Sequence, residues 1–360
     1  MIAMPRLPQP RRSRASQAGL SLMELMVALA IGLFILVGLV YVFSASNRTY
    51  LEMNRVSQQI ENGRFAVQTL TDDVSLAGFW GRTSSALPAP GVLPDPCEKT
   101  DMAALRAATA LPLQGYDAPA ASPLACIPAA NHVPGTDILV VRRTDSQMAA
   151  GNSATIPGGS LVAAQVYLQA NADPNNGLNP LIAVATGSPE PVFALKNKDG
   201  TNFAPIRKYR VHIYYVAPCS IPAGGGTDCT GANDDGGAPI PTLKRLELTV
   251  DSTGANLDMY QVPLVEGIDN FQVDYGIDTD TDGTPNGAYV TAPAAVADWP
   301  NVVAVRINVL ARNTESTPGY VDAKSYNMGV AGALTPGGPY KRHVYNAVIR
   351  VVNPSARRES

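Results

Sequence analysis

Residues 25–43 read LMVALAIGLFILVGLVYVF, a run of 19 residues without a charged side chain. As an α-helix, this run would span about 29 Å, close to the roughly 30 Å hydrocarbon thickness of a bilayer. No other stretch of the chain is as long and as apolar. The sequence therefore predicts one membrane span near the N-terminus.

The distribution of charge predicts the orientation of this span. Residues 1–19 contain four arginines and no acidic residue. The 360-residue chain has a net charge of −3, so removing those four positive charges leaves the rest at −7. By the positive-inside rule, the N-terminus stays in the cytoplasm and residues 44–360 are exported. The acidic balance of the exported part argues against a nucleic-acid partner.

An ordinary secretory signal peptide is the alternative interpretation of the same segment. Such a signal has an apolar region of about 7–15 residues and ends in a small-x-small cleavage site. Here the apolar run is longer, and Ala45 and Ser46 lead into further helical sequence. We therefore expect the span to be retained in the mature protein.

The junction between the basic segment and the span has a more specific pattern. Residues 18–25 read AGLSLMEL, so Gly19 is followed by apolar residues that a single carboxylate, Glu24, interrupts. A charge in a membrane segment costs about 2.5–3.5 kcal/mol on insertion scales and is by default functional. A glutamate that reaches toward the interface from a helix end is the simpler alternative.

A basic leader, a glycine, and an apolar run with Glu at the fifth position after that glycine resemble the motif of type IV prepilins. The resemblance implies that a prepilin peptidase cuts between Gly19 and Leu20 on the cytoplasmic face. Leu20 would then become the N-methylated first residue, although Phe is commoner at this position in the family. The resemblance also gives Glu24 a role in subunit assembly. Its buried carboxylate needs a cation, and the α-amino group of Leu20 in a neighbouring subunit is the nearest candidate.

The helix is expected to continue beyond the membrane, from about residue 22 to residue 76. Five apolar residues recur at helical spacing and predict one buried face: Val56, Ile60, Val67, Leu70 and Val74. Two pairs at i, i+3 are expected to support the exposed face: Glu52 with Arg55, and Glu61 with Arg64. Gly78 is expected to end the helix. Asp72 and Asp73, near this end, are expected to be a solvated pair.

The remainder of the chain predicts a β-rich exported head. Strand candidates are 137–143, 161–168, 207–217, 242–250, 268–276, 301–312 and 343–352. These strands do not alternate with helices, so the expected fold class is α+β, a long N-terminal pilin-like helix packed on an antiparallel sheet. The expected parts are a cleaved leader at 1–19, a transmembrane or fibre-core helix at 20–43, an amphipathic extension at 44–78 and the head at 79–360.

Four cysteines predict disulfides in this head. Cys97, Cys126, Cys219 and Cys229 include no CxxC pair, and an exported domain meets an oxidising environment. Four cysteines allow three pairings, of which local closure favours Cys97–Cys126 and Cys219–Cys229. Each bridge would contribute about 2–4 kcal/mol, mainly by restricting the unfolded chain.

One acidic stretch, DTDTDG at residues 278–283, resembles the first half of an EF-hand loop. Asp278, Asp280, Asp282 and the carbonyl of Thr284 would be the ligands of a calcium ion. The twelfth position is Tyr289, however, where an EF-hand has a bidentate glutamate. A polar turn is the alternative, because the DG dipeptide is also a strong turn signal.

The sequence predicts no enzyme. His132, His212 and His343 are isolated in sequence, and HExxH, GxSxG, GxGxxG and P-loop motifs are missing. His212 falls on the polar face of its strand, where a solvated or hydrogen-bonded imidazole is usual. A membrane-anchored enzyme is therefore the least favoured class.

Both ends of the chain are similar to PilW-type minor pilins, which are related to the J-type minor pseudopilins of type II secretion. The stretches that carry this similarity are 61–81, 262–283, 299–313 and 341–353. The resemblance implies a minor pilin that helps to start or tip a type IV pilus with other minor and major pilins, the assembly platform and often a tip adhesin. It also implies an inner-membrane precursor with a periplasmic head that later reaches the pilus surface. A J-type pseudopilin, or an adhesin or other binding module in the head, is the alternative.

Overall fold

The computed structural model describes most of the chain. The described residues are 19, 21–83, 87–155, 161–171, 179–186 and 192–359. The expected leader, apart from Gly19, and the expected methylated residue Leu20 lie outside these ranges. The chain divides into two compact units, Met1–Asn54 and Arg55–Ser360.

Helix α1 occupies Leu22–Ser75, close to the expected limits of 22 and 76. In the first unit, the side chains of residues 25–43 are exposed in the isolated chain, although they are the most apolar of the sequence. An exposed apolar surface of this size requires lipid or neighbouring protein around it. By length and composition, this part of α1 could cross a membrane.

The part of α1 in the second unit buries a face that overlaps the expected one but is shifted around the helix, and Val67 also packs against the first core. Its buried residues are Gln59, Gly63, Ala66, Leu70, Asp73 and Val74. The prediction for Leu70 and Val74 is thus confirmed, whereas Ile60 is 42% exposed and lies beside the buried stripe. This buried stripe consists largely of small and polar residues, because the helix lies close to the head. The Gln59 amide donates hydrogen bonds to the carbonyls of Ala311 and Lys341, at 2.8 and 3.0 Å.

The head contains twelve strands within the described ranges. They are β1 Leu113–Tyr116, β2 Ile138–Thr144, β3 Val166–Gln169, β4 Leu181–Val184, β5 Ile206–Ala217, β6 Thr242–Val250, β7 Leu257–Glu266, β8 Ile268–Ile277, β9 Val302–Arg312, β10 Tyr326–Asn327, β11 Ala333–Leu334 and β12 Arg342–Arg350. Two short helices, α2 Met102–Ala108 and α3 Val352–Arg358, complete the regular structure together with several 3₁₀ turns.

All strand pairs are antiparallel, and they form two main sheets. The larger sheet has the order β1-β2-β5-β3-β4, and β6 also pairs with β5 and β7 with β6. The smaller sheet has the order β12-β9-β8, and β10 and β11 form a separate pair. The α+β class with a long helix and an antiparallel head is therefore confirmed.

The central strands of the larger sheet, β2 and β5, are buried on both faces. Towards α1 and the smaller sheet, Val141 and Tyr214 pack with Leu70, Phe271 and Ile307 in the first core. On the opposite face, Val140, Ile213 and Leu246 pack with Trp80 and Leu105 in a second core. Strand β5 therefore has apolar residues on both faces, and the face that carries His212, expected to be polar, is buried in the second half of the strand.

Both favoured disulfide pairings are present on the side of the second core. The Cys97–Cys126 and Cys219–Cys229 bridges have Cα–Cα distances of 5.6 and 5.8 Å, and the described residues include no free cysteine. The glycine-rich stretch 222–237, which connects β5 to β6, carries two 3₁₀ turns. The carboxylate of Asp235 fixes it by accepting hydrogen bonds from the N–H groups of Ser220, Ile221 and Ile240.

Sequence patterns missed several elements of the head. Strand β7 contains Pro263, which is compatible with a strand at a sheet edge but conceals it in the sequence. The expected strand 343–352 ends at Arg350, and α3 begins at Val352 with Pro354 in its first turn. The expected strand 161–168 is reduced to β3, and residues 81–136 contain α2 and β1.

Gly63 sets the distance between α1 and β12. A Cβ atom at Gly63 would overlap the ring of Tyr345. We expect Gly63→Ala to destabilise the protein by about 1–3 kcal/mol through overpacking, although alanine alone would favour the helix by about 1 kcal/mol. Denaturant unfolding of the full chain in detergent measures this effect.

The control for this prediction removes the obstacle. In a Tyr345→Leu background, Gly63→Ala should be neutral or stabilising, because the smaller side chain leaves room for the methyl group. An equal loss of stability in both backgrounds would contradict the proposed contact.

Candidate functional site

The residues expected to be processed, Gly19 and Leu20, precede α1 in the sequence. Gly19 is exposed and precedes the first helical residue, and no heavy atom of the described residues lies within 4 Å of the position that a Cβ would take there. The structure does not describe Leu20, the residue on the other side of the expected scissile bond.

Glu24 and Ser21 form a capping box at the start of α1. The Ser21 N–H donates to Glu24 Oε2 at 2.9 Å, and the Glu24 N–H donates to Ser21 Oγ at 3.2 Å. Each side chain thus satisfies a backbone donor that the helix itself leaves without a partner. Glu24 Oε1 accepts no hydrogen bond from the described residues, so this oxygen remains available to a cation. This capping box was not predicted from the sequence, although the S-x-x-E spacing of Ser21 and Glu24 is its usual signal.

Asp73 is the centre of a buried cluster between α1 and the larger sheet. Its carboxylate accepts hydrogen bonds from Arg143 Nε at 2.5 Å, His212 Nδ1 at 2.7 Å and the Tyr214 hydroxyl at 2.8 Å. The expectation of a solvated pair is therefore wrong for Asp73, whose side chain is 5% exposed, although Asp72 is exposed. The reason is its position on the buried stripe, three residues after Leu70.

The environment of Asp73 favours its ionised form. Burial by itself would raise the pKa of this carboxyl, but the attraction of His212 and Arg143 and their hydrogen bonds outweigh burial and hold the pKa well below its ordinary value. A carboxylate, an imidazole and a phenol could act in acid–base chemistry. Here all three side chains are buried, so the cluster ties α1 to strands β2 and β5.

The acidic loop brings the three expected calcium ligands together. The carboxylate groups of Asp278, Asp280 and Asp282 offer oxygens within 4.8 Å of one another. Asp282 Oδ1, however, accepts hydrogen bonds from the N–H and the hydroxyl of Thr284. The side chain of Thr284 is thus used inside the loop, and Asp280 and Asp282 are exposed.

Asp278 is already saturated with donors from the protein. Its Oδ1 accepts the N–H groups of Asp280 and Thr281, and its Oδ2 accepts the N–H of Gly283 and Arg358 Nε at 3.1 Å. A carboxylate has about four acceptor sites, and all of them are in use. Burial would raise the pKa of Asp278, but these N–H groups and the Arg358 charge lower it. The residues therefore fit a turn held by Arg358 better than a calcium site.

Removal of the Asp73 charge tests the cluster. We expect Asp73→Asn to lower the free energy of unfolding by about 3–5 kcal/mol at pH 7. The substitution removes the charge that pairs with Arg143, and it can place the amide NH₂ group against the donors of His212 and Tyr214. The lowered pKa implies that the stabilisation is present above the unfolded pKa of about 3.9 and is lost as the pH falls below it. Denaturant unfolding at pH 7 and pH 3 measures both effects.

Asp72→Asn is the matched control, because the neighbouring carboxylate is exposed. It should change stability by no more than about 0.5 kcal/mol at either pH. Equal effects of the two substitutions at pH 7 would contradict the assignment of Asp73.

The acidic loop gives a prediction about metal addition. Millimolar calcium should leave the melting temperature of the full chain in detergent unchanged. Arg358→Met should destabilise the protein by about 1–3 kcal/mol, because the buried Asp278 loses a charged donor. Arg82→Met, at an exposed arginine without a described ion pair, should have little effect. A rise in melting temperature with calcium that Asp280→Ala abolishes would restore the calcium interpretation.

Comparison with known proteins relates the head to a pilus family. Residues 230–353 match the family model described as Type IV Pilus-assembly protein W. No curated protein and no solved structure gives a significant match. The matched region includes strands β6–β9 and β12 and the acidic loop, and it contains three of the four stretches that resembled PilW-type proteins. The match supports a role related to type IV pilus assembly, and with the apolar part of α1 it indicates a protein of the cell envelope or pilus.

Proposed function

We propose that the chain is the precursor of a minor pilin that helps to start or tip a type IV pilus. The observation that carries the proposal is the match of residues 230–353 to the pilus-assembly family. It is joined by helix α1, which contains both an apolar segment long enough for a membrane and the segment that packs into the head core. In this proposal the head is a structural subunit without catalytic activity and without a nucleic-acid partner.

The proposal includes processing and a sequence of locations. A prepilin peptidase would cut after Gly19, and Leu20 would be N-methylated. The precursor would span the inner membrane once, with the N-terminus in the cytoplasm and the head in the periplasm. Other minor and major pilins and the assembly platform would be its partners in the growing pilus. The family match names pilus assembly, and so it favours the pilus over a secretion system.

Processing tests the proposal directly. Co-expression with a prepilin peptidase should remove 19 of the 360 residues of the 37.8 kDa chain, about 2 kDa. The new N-terminus should be methylated Leu20. Gly19→Trp should block this cleavage, and Gly32→Val, at an open glycine inside the apolar helix, should not. A different N-terminus, or no processing, would overturn the proposal.

Glu24 gives a prediction that separates two roles of one carboxylate. Ser21→Ala removes the acceptor for the Glu24 N–H and keeps the charge, whereas Glu24→Gln removes the charge and keeps an acceptor for the Ser21 N–H. If the charge pairs with a neighbouring α-amino group, Glu24→Gln and Glu24→Ala should both reduce incorporation into pili. Ser21→Ala should be incorporated normally. Quantitative detection of the protein in sheared pili measures the outcome.

The membrane fraction provides the control for this experiment. All three variants should insert as well as the natural chain, because Glu24→Gln and Glu24→Ala remove a charge and so lower the cost of insertion, whereas Ser21→Ala leaves the charge unchanged. Normal incorporation of Glu24→Gln would show that helix capping alone accounts for Glu24.

A further inference from the structure

Two grooves of opposite charge lie on opposite sides of α1 in the second unit. The cationic groove, about 620 Å³, is lined by Ile60, Arg64, Lys324, His343 and Tyr345, among others. The acidic groove, about 560 Å³, is lined by Glu61, Phe65, Pro263, Leu264 and Glu266, among others. The same helix thus separates two surfaces that differ in the sign of their charge.

The cationic groove has basic side chains that the head does not neutralise. Arg64 and Lys324 are exposed and form no ion pair with any described residue. The expected pair of Arg64 with Glu61 is therefore wrong. The groove contains one further arginine, Arg342, whose charge is compensated by Asp269 and Asp322. No acidic side chain among the described residues lines this groove.

The acidic groove is its counterpart. Glu61 and Glu266 are both exposed and form no ion pair within the described part of the chain. The lining includes no basic side chain from the described ranges. The two grooves carry charges of opposite sign and lie on different sides of α1, so the acidic groove of one copy is complementary to the cationic groove of another.

Each groove also has an apolar part. Ile60 in the cationic groove is 42% exposed, and Phe65 in the acidic groove is 57% exposed. The hydroxyl of Tyr345 is buried and has no hydrogen-bond partner among the described residues. Exposed apolar side chains inside a rim of charge are typical of protein interfaces.

We propose that the acidic groove of one copy of this chain binds the cationic groove of a second copy, side by side. Charge complementarity identifies the occupant, because the surface that complements each groove is present on the chain itself. Grooves of like charge would repel each other, so a twofold interface that pairs a groove with itself is disfavoured. We expect each copy to use one groove toward each neighbour, so that the contact propagates to further copies and does not close after two. This inference rests on the proposed function, because it requires chains that lie side by side in a membrane or a fibre.

Cysteine crosslinking in membranes tests the arrangement on the full chain. The four native cysteines form disulfides, so introduced cysteines supply the free thiols. His343→Cys marks the cationic groove and Pro263→Cys the acidic groove, both at exposed positions. With a short bis-maleimide, neither variant alone should crosslink, a mixture should give dimers, and the double variant should give a ladder.

Charge reversal tests the cause of the contact. Arg64→Glu with Lys324→Glu should reduce crosslinking of the double-cysteine chain by about tenfold or more, because like charges then face each other. Adding Glu61→Lys and Glu266→Lys should restore it. Lys198→Glu, at an exposed lysine in neither groove, should have no effect. High salt should weaken the contact of the natural chain, since exposed charges are screened within about 8–10 Å at physiological ionic strength.

The remaining outcomes overturn the proposal. Dimers of either single-cysteine variant would indicate a twofold interface. Crosslinks only to another pilin, or none, would exclude a second copy as the occupant. Because N-terminal processing is measured in the same samples, a chain that is processed but not crosslinked contradicts this inference and leaves the proposed function intact.

Discussion

The hydrogen bonds of the Asp73 carboxylate join α1 to the larger sheet, and much of the head is arranged around this junction. Arg143 lies on β2, and His212 and Tyr214 lie on β5, 70, 139 and 141 residues away in the chain. A buried carboxylate is costly unless it is paired, so this contact is compatible with only one rotation of the helix. That rotation places Gly63 against Tyr345 and Gln59 against the ends of β9 and β12.

The same rotation decides what the helix leaves exposed. With Leu70, Asp73 and Val74 facing the sheets, Ile60 and Phe65 point away from the core, and Glu61 lines one groove while Arg64 lines the other. The two grooves therefore follow from how the helix is fixed to the head. The residues that stabilise the head and those available to another subunit lie on different faces of one helix.

The larger sheet contributes, together with the apolar part of α1, to the low charge of the chain. Only 16% of the residues are charged and 46% are hydrophobic. A sheet with an apolar core on each face needs more apolar residues than one exposed to water on one side. The second core also contains both disulfides and is covered by loops and α2. In the acidic loop, Arg358 of α3 places a protein cation beside the buried carboxylate of Asp278.

Features that depend only on neighbouring residues can be predicted from local sequence patterns. The uncharged run at 25–43, the alternating strands such as β9, and the two disulfides that close short loops all follow from local spacing. The tertiary structure alone decided the features whose partners are distant in the chain. Asp73 is a buried junction because of residues on β2 and β5, and Asp278 has its counter-ion 80 residues later. Periodicity tells which residues share a face, but only packing tells which face is buried and which side chain compensates a charge.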